Sequence, residues 1–523
     1  VSLLTRISPE DAHRRRWQLL ALTSVGAFMG PLDGSIVSVA LPAMGPDLDL
    51  TYAAGLWVQA AYLLTTAVLL IPLGRLADLY GRVRFYLLGI TVFTVGSLLA
   101  ALGTNGAWLI GSRVVQGAGG ALMVATAAAI VTAVFPPKER GRALGINVMA
   151  VYIGLSVGPP LGGMLVDTLG WRWIFLINLP IGVVVLLWGW FMLPRSEREE
   201  DAPRVDFAGA ALLGTFLVAL LVPLTFSSQW GWSSALTLGL LVLSAASLAG
   251  FVALEHRTES PILDLDLLVR NRLFAAANLA ALLNYMALYG ISVLTAIFLE
   301  IVQGRSAAVT GWLMLSQPLL MAILSPLSGR LSDRIGSRVL TTGGMAVIAG
   351  GMMLLAAMPS TVPVWRVATY LGVVGLGMAA FSAPNASAIM GSVRRDQLSV
   401  ASAMMGTMRT AGQALSVALL GGIAASQLGR LGGRLLFSHG TAVEAGELAS
   451  RAAGGYAEGY SYAMVAGALL ALLGALVSLT RGRHSPEAPP GRPPAGDPSA
   501  GEPPPAAGRA LSPRSASVPG SRS

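Results

Sequence analysis

The sequence predicts an all-α membrane protein with fourteen transmembrane helices. Three observations predict it. Apolar runs long enough to cross the ~30 Å hydrocarbon core recur along the whole chain. Hydrophobic residues make up 54% of the 523 residues and charged residues only 12%, with a mean hydropathy of +0.67. A soluble domain carries about a quarter charged residues. Finally, the runs are continuous rather than alternating, which selects helices over the strands of a closed barrel.

The expected helices fall near 17–43, 53–73, 85–102, 108–134, 142–165, 174–193, 207–226, 235–254, 273–299, 309–328, 339–358, 364–391, 400–426 and 460–480. Basic residues orient them. With the N-terminus inside, only Arg172, Arg305, Arg366, Arg430, Arg434 and Arg451 fall on the outer side, and Arg113 and Arg409 fall within helices. The rest of the 35 basic residues lie on the inner side, so both termini are expected in the cytoplasm. The net charge of +9 then reflects inner loops, and no nucleic-acid partner is expected. Arg14-Arg15-Arg16 leads directly into the first run, so no cleavable signal peptide is expected. Lys138 is the only lysine, and Ala, Gly and Pro are abundant, a usage typical of a high-GC bacterium.

Composition also excludes chemistry. The chain has no cysteine, so disulfides and thiolate metal sites are absent. His13, His256, His439 and His484 all fall in predicted loops or tails. No histidine relay or intramembrane metal site is available, and no cofactor is expected. No HExxH and no nucleophile–histidine pair is present, so an enzyme is not expected.

The sequence repeats itself. Gly74-Arg75-Leu76-Ala77-Asp78-Leu79-Tyr80-Gly81-Arg82 follows helix 2, and Gly329-Arg330-Leu331-Ser332-Asp333-Arg334-Ile335-Gly336 follows helix 10. The same displacement carries helices 1 to 5 onto helices 9 to 13. The expected domains are an inner N-terminus (1–16), a six-helix half (17–193), two inserted helices (207–254), a second parallel six-helix half (273–480) and a Pro-rich, compositionally disordered tail (485–523). Glycines allow close turns. Asp78 and Asp333 could cap a helix N-terminus, and neighbouring Arg82 and Arg334 could pair with them and hold the inner side shut. The alternative is a solvated basic turn.

Helix 1 carries Leu32-Asp33-Gly34-Ser35-Ile36-Val37-Ser38-Val39-Ala40-Leu41-Pro42. Asp33 lies well inside the span, where burial favours a protonated carboxylate. Helix 4 carries Arg113-Val114-Val115-Gln116-Gly117-Ala118-Gly119-Gly120-Ala121. Ionisable residues inside a membrane are functional by default, although either could be structural. Helix 5 carries Gly154-x-x-x-Gly158-Pro159-x-x-Gly162-Gly163, whose small residues allow close backbone approach. Gln59, Tyr62, Gln116, Asn284, Tyr285, Gln317, Asn385, Arg409 and Gln413 could face a central cavity or simply pack between helices. Arg409 has no evident acid partner. Glu300, at the end of helix 9, is expected to be solvated.

These motifs resemble those of the major facilitator superfamily, and specifically its fourteen-helix drug:proton antiporters. The two repeated segments resemble the signature loop Gly-x-Leu-Ala-Asp-Arg-x-Gly-Arg-Lys, with departures at Leu79 and Val83. The helix 1 segment is similar to Leu-Asp-x-Thr-Ile-Val-Asn-Val-Ala-Leu-Pro, with Ser35 for Thr and Ser38 for Asn. Helix 4 is similar to Arg-x-x-Gln-Gly-x-Gly-x-Ala. The helix 5 segment resembles the antiporter motif of drug exporters. Trp171-Arg172-Trp173-Ile174-Phe175 with Asn178 and Pro180, and Pro384-Asn385, extend the likeness. The resemblance implies a monomeric, multi-pass transporter of the bacterial cell membrane that exchanges protons for drugs or other small amphipathic molecules. It implies Asp33 and Arg113 as the proton-coupling residues. A symporter or uniporter of the same fold is the alternative.

Overall fold

The computed structural model describes residues 16–192, 206–258, 265–393, 397–428, 436 and 443–481. The expected tail 485–523, residues 1–15 of the N-terminus and most of 427–442 lie outside the described residues. Among the described residues there is no strand. The helices are α1 (Arg16–Asp47), α2 (Tyr52–Tyr80), α3 (Arg82–Ala101), α4 (Gly106–Val134), α5 (Pro137–Leu169), α6 (Trp173–Leu176), α7 (Asn178–Met192), α8 (Phe207–Trp230) and α9 (Ala235–Glu255). They continue as α10 (Leu265–Arg270), α11 (Arg272–Ile297), α12 (Ala307–Met314), α13 (Ser316–Ile335), α14 (Ser337–Ala356), α15 (Val364–Gly391), α16 (Leu398–Ala425) and α17 (Val443–Leu479).

Local chemistry sets their ends. Thr51, Asn105 and Asn271 accept hydrogen bonds from the backbone amides of Ala54, Trp108 and Phe274, so they cap α2, α4 and α11. Prolines explain two breaks. Pro180 offers no amide to the Leu176 carbonyl, and the chain interrupts there between α6 and α7. Pro318 likewise offers none to Met314, where α12 gives way to α13. α11 ends in a π-helical turn, Phe298–Val302.

Twelve helices among the described residues are long and apolar enough to cross a membrane. Two of the fourteen expected spans fall outside that test. The sixth is split, leaving a shorter apolar helix over Trp173–Gly189. The thirteenth, α16, is 28 residues long, but Arg409, Gln413 and its hydroxyl side chains lower its mean hydropathy.

Three expectations need correction. The repeated segments after helices 2 and 10 are not loops. α2 runs to Tyr80 and α13 to Ile335, and the turns reduce to Gly81 (φ 111°) and Gly336 (φ 88°), a backbone region that L side chains rarely adopt. Asp78 therefore sits in the last turn of α2 and does not cap α3, whose N-cap Gly81 makes no side-chain bond. The segment 443–459, expected as loop, is helical, because α17 starts at Val443.

α1 packs against α5 and α4, and across the molecule against α11. α2 packs against α4 and meets α16 of the second half. α8 lies against α2 and α16, with Trp57 stacked on Phe226 (ring centroids 6.4 Å apart). α9 packs mainly on α8, and only 22% of its span is buried, which places it at the periphery.

Candidate functional site

α1 brings Asp33 into the interior at 1% exposure, and α4 brings Arg113 there at 0%. Arg113 Nη1 donates to Asp33 Oδ2 at 2.5 Å. Its Nε donates to the Val58 carbonyl at 2.9 Å. One turn on, Gln116 Nε2 donates to Asp33 Oδ1 at 2.7 Å and to Ser97 Oγ at 2.8 Å, while its Oε1 accepts from Arg113 Nη1. Asn178, at the start of α7, donates to Asp33 Oδ1 at 3.2 Å. Both carboxylate oxygens thus accept hydrogen bonds. Arg113 also lies over the Tyr62 ring, 4.6 Å from its centroid.

An ion pair this deep is stable only when well satisfied, because desolvating each ion costs several kcal/mol. Removing Arg113 would strand Asp33 at a cost of about 3–5 kcal/mol. Motif reading missed Asn178 and Ser97 as partners. Asn178 belonged to the helix 6 motif, but nothing in its spacing points to Asp33.

The helix 5 glycines act as contact surfaces. A Cβ on Gly154 would press on the Phe28 carbonyl, and one on Gly162 on the Ile36 backbone. A Cβ on Gly158 would collide with Ser35. These three seat α5 on α1. Gly163 faces the other half: its Cβ would collide with the Ala307 carbonyl of α12, and a Cβ on Gly311 with the Pro159 carbonyl. Asp167 accepts from the Ala308 amide at 2.9 Å beside them. At the same predicted outer end, Tyr52 donates to the Gly421 carbonyl at 3.3 Å. The halves therefore interlock there through backbone contacts.

At the predicted inner end, Arg82 Nε donates to Asp78 Oδ1 at 2.6 Å. Arg75 lies in the electrostatic field of Glu255, Asp206 and Asp78. Gly74 packs near Ala125, and Gly329 near Ala383. Arg334 is exposed. The side chain of Asp333 lies outside the described residues.

The cavity candidates divide. Gln59 is fully buried, donating to the Gly34 carbonyl at 2.8 Å and Ser38 Oγ at 2.9 Å. Gln116 belongs to the ion-pair network. Asn284 is buried and donates to Met378 Sδ at 3.3 Å. Asn385 packs between helices: it donates to the Ala277 carbonyl of α11 at 3.3 Å and accepts from buried Arg481, just past the end of α17. Burial lowers the Arg481 pKa to about 10. Tyr285, Gln317, Arg409 and Gln413 are half-buried, and Tyr62 is buried beside Arg113. Glu300 is half-buried in the π-helical turn with Oε1 unpaired, near Asp167, and not a solvated residue as expected.

Asn385→Ala is expected to lower stability by about 1–3 kcal/mol, because Arg481 loses an acceptor, and to leave substrate affinity unchanged. Thermal unfolding and equilibrium binding of the detergent-purified protein check the two parts.

The sequence model of the Major Facilitator Superfamily matches residues 23–416 and 277–517. The chain belongs to this superfamily. It is a transporter, not an enzyme. "Multidrug resistance protein Stp" of Mycobacterium tuberculosis is 38% identical over 420 residues, covering 79% of this chain and 77% of that one. "Riboflavin transporter RibZ" of Clostridioides difficile is 30% identical over 415 residues, covering 79% and 90%. Among solved structures, an inward-facing bacterial homologue of the human lysosomal transporter Spinster matches with a TM-score of 0.64 at 18% identity, covering 89% of this chain and 96% of that one. That likeness extends to the fold.

Proposed function

We propose that this major facilitator exports drugs, antibiotics or other small amphipathic molecules across the cytoplasmic membrane in exchange for protons, by alternating access. It works as a monomer with fourteen spans and both termini in the cytoplasm. The charge asymmetry of the loops supports that orientation. The observation that carries the reading is the buried Asp33–Arg113 pair. Asp33 can gain a proton, whereas Arg113 keeps its charge throughout. Protonation cancels the carboxylate charge that ties α4 and α7 to α1. The tie re-forms when the proton leaves, so proton occupancy biases how the first half packs. A proton entering down the membrane potential supplies ~2.3 kcal/mol per 100 mV toward moving cargo outward.

The multidrug relative favours export from the cytoplasmic side. The riboflavin relative makes an aromatic nutrient the rival cargo. Vesicle polarity separates them. Everted vesicles with an acidic lumen should accumulate fluorescent dyes or aromatic antibiotics and lose them on adding a protonophore. Gradient-driven uptake confined to right-side-out vesicles would replace the exporter with a symporter.

A further inference from the structure

The two intramembrane arginines are not alike. Arg113 is enclosed and its charge is met by Asp33. Arg409 sits near the middle of α16, half-buried, and among the described residues it has neither a carboxylate nor a hydrogen-bond acceptor as partner. None of its nitrogens is sealed from solvent-sized space. Its electrostatic neighbours are Tyr62 on α2 and Tyr285 on α11, so it points inward between the two halves and away from lipid. Gln413, one helical turn along the same face, is also half-buried. Tyr285 and Tyr289, one turn apart on α11, are half-buried in the same way. Tyr152 of α5 reaches across to Ser382 of α15 at 3.2 Å.

A guanidinium at this depth tolerates its position only while water or an anion faces it. It also offers a planar fork of donors that matches a carboxylate, and it stacks on aromatic faces. Asp33 cannot serve, since both of its oxygens are engaged elsewhere. Arg409 is therefore an uncompensated cation beside the aromatic rings of Tyr62 and Tyr285.

We propose that Arg409 anchors the anionic group of an aromatic cargo, a carboxylate or phenolate, with Tyr285 and Tyr289 against its ring system. This deepens the exporter reading and rests on it for the term cargo; the binding itself requires neither proton coupling nor export. Two xanthene dyes of like shape and opposite charge test it: fluorescein, an anion with a free carboxylate, and rhodamine 6G, a cation with that group esterified. Binding is followed by fluorescence anisotropy on the full chain in phosphatidylcholine nanodiscs, with no gradient. The unmodified chain should prefer fluorescein. R409Q should weaken fluorescein by about tenfold or more, the factor carried by one charge-assisted hydrogen bond, and leave rhodamine 6G unchanged. R409K should fall between.

A second measurement needs no variant. Phenylglyoxal should label Arg409 and spare the enclosed Arg113, as read by peptide mass spectrometry, and fluorescein should protect Arg409 where rhodamine 6G does not. An unlabelled Arg409, equal protection by both dyes, protection by neither, or equal loss of both dyes in R409Q would each overturn the proposal. Protection by added phosphatidylglycerol alone would assign Arg409 to a lipid headgroup and overturn it as well. If fluorescein binds through Arg409 but is never exported, the anion site stands and the exporter reading falls.

Discussion

Asp33→Asn is expected to abolish proton-driven export while leaving a folded protein. The amide cannot take up and release a proton in the physiological range, so the cycle loses the one buried acid that, among the described residues, lies away from the ends of its span. The fold survives because the neighbours can adapt. An asparagine oxygen can still accept from Arg113. Its amide nitrogen would then face Asn178, whose own amide can turn to present its oxygen. Asn178 Oδ1 has no partner in the present arrangement, so the turn sacrifices no bond of that atom. Arg113 keeps the Val58 carbonyl and the Tyr62 ring. The loss is about 2 kcal/mol, the order of one charge-assisted bond. Arg113→Ala strands a buried carboxylate and should unfold at a lower temperature than Asp33→Asn. Asp33→Glu should keep partial export. Thermal unfolding together with dye accumulation in everted vesicles checks the series; uphill accumulation by Asp33→Asn at the normal rate would refute it.

Gly163→Val should reduce transport by about tenfold or more, since overpacking costs about 1–3 kcal/mol and here it falls on one conformation only. The new side chain meets the backbone of Ala307 and Ala308, which no rotamer change can move. α5 and α12 must separate, and the Asp167 bond to the Ala308 amide goes with them. Gly350→Ala is the control, because its Cβ would meet nothing within 4 Å. The chain has no cysteine, so pairs can be introduced on a clean background. Cysteines at Val166 and Ala307, which share one apolar cluster, should cross-link readily. They should cross-link poorly when Gly163→Val is added. Undiminished cross-linking and transport would mean that this contact does not govern closure.

The helices were largely legible because hydropathy reports the solvent around a segment. It reports little where a helix leaves the hydrocarbon, and so Gly74–Tyr80 and 443–459 read as loop although their backbones stay helical. Asp33 and Arg113 were legible as charges in apolar runs and through motifs. Their contact was not, because it joins α1 to α4 and depends on how those helices pack. Asn385 read equally as a cavity residue or a packing residue, because polarity inside a span does not say which way it faces. It turns to Arg481, a residue just past the last apolar run whose burial no local pattern signals. Glu300 read as solvated because a π-helical turn leaves no sequence signature that hydropathy can detect.

Proton release on substrate binding tests most directly whether Asp33 carries the exchanged proton. Proteoliposomes holding the full chain under a pH gradient, with a pH indicator in weak buffer, report that release as substrate is added. The unmodified chain should release protons in step with substrate movement, and Asp33→Asn should release none while still binding substrate. Release from Asp33→Asn equal to that of the unmodified chain would contradict the account and move the proton to another acid, with half-buried Glu300 the first to examine.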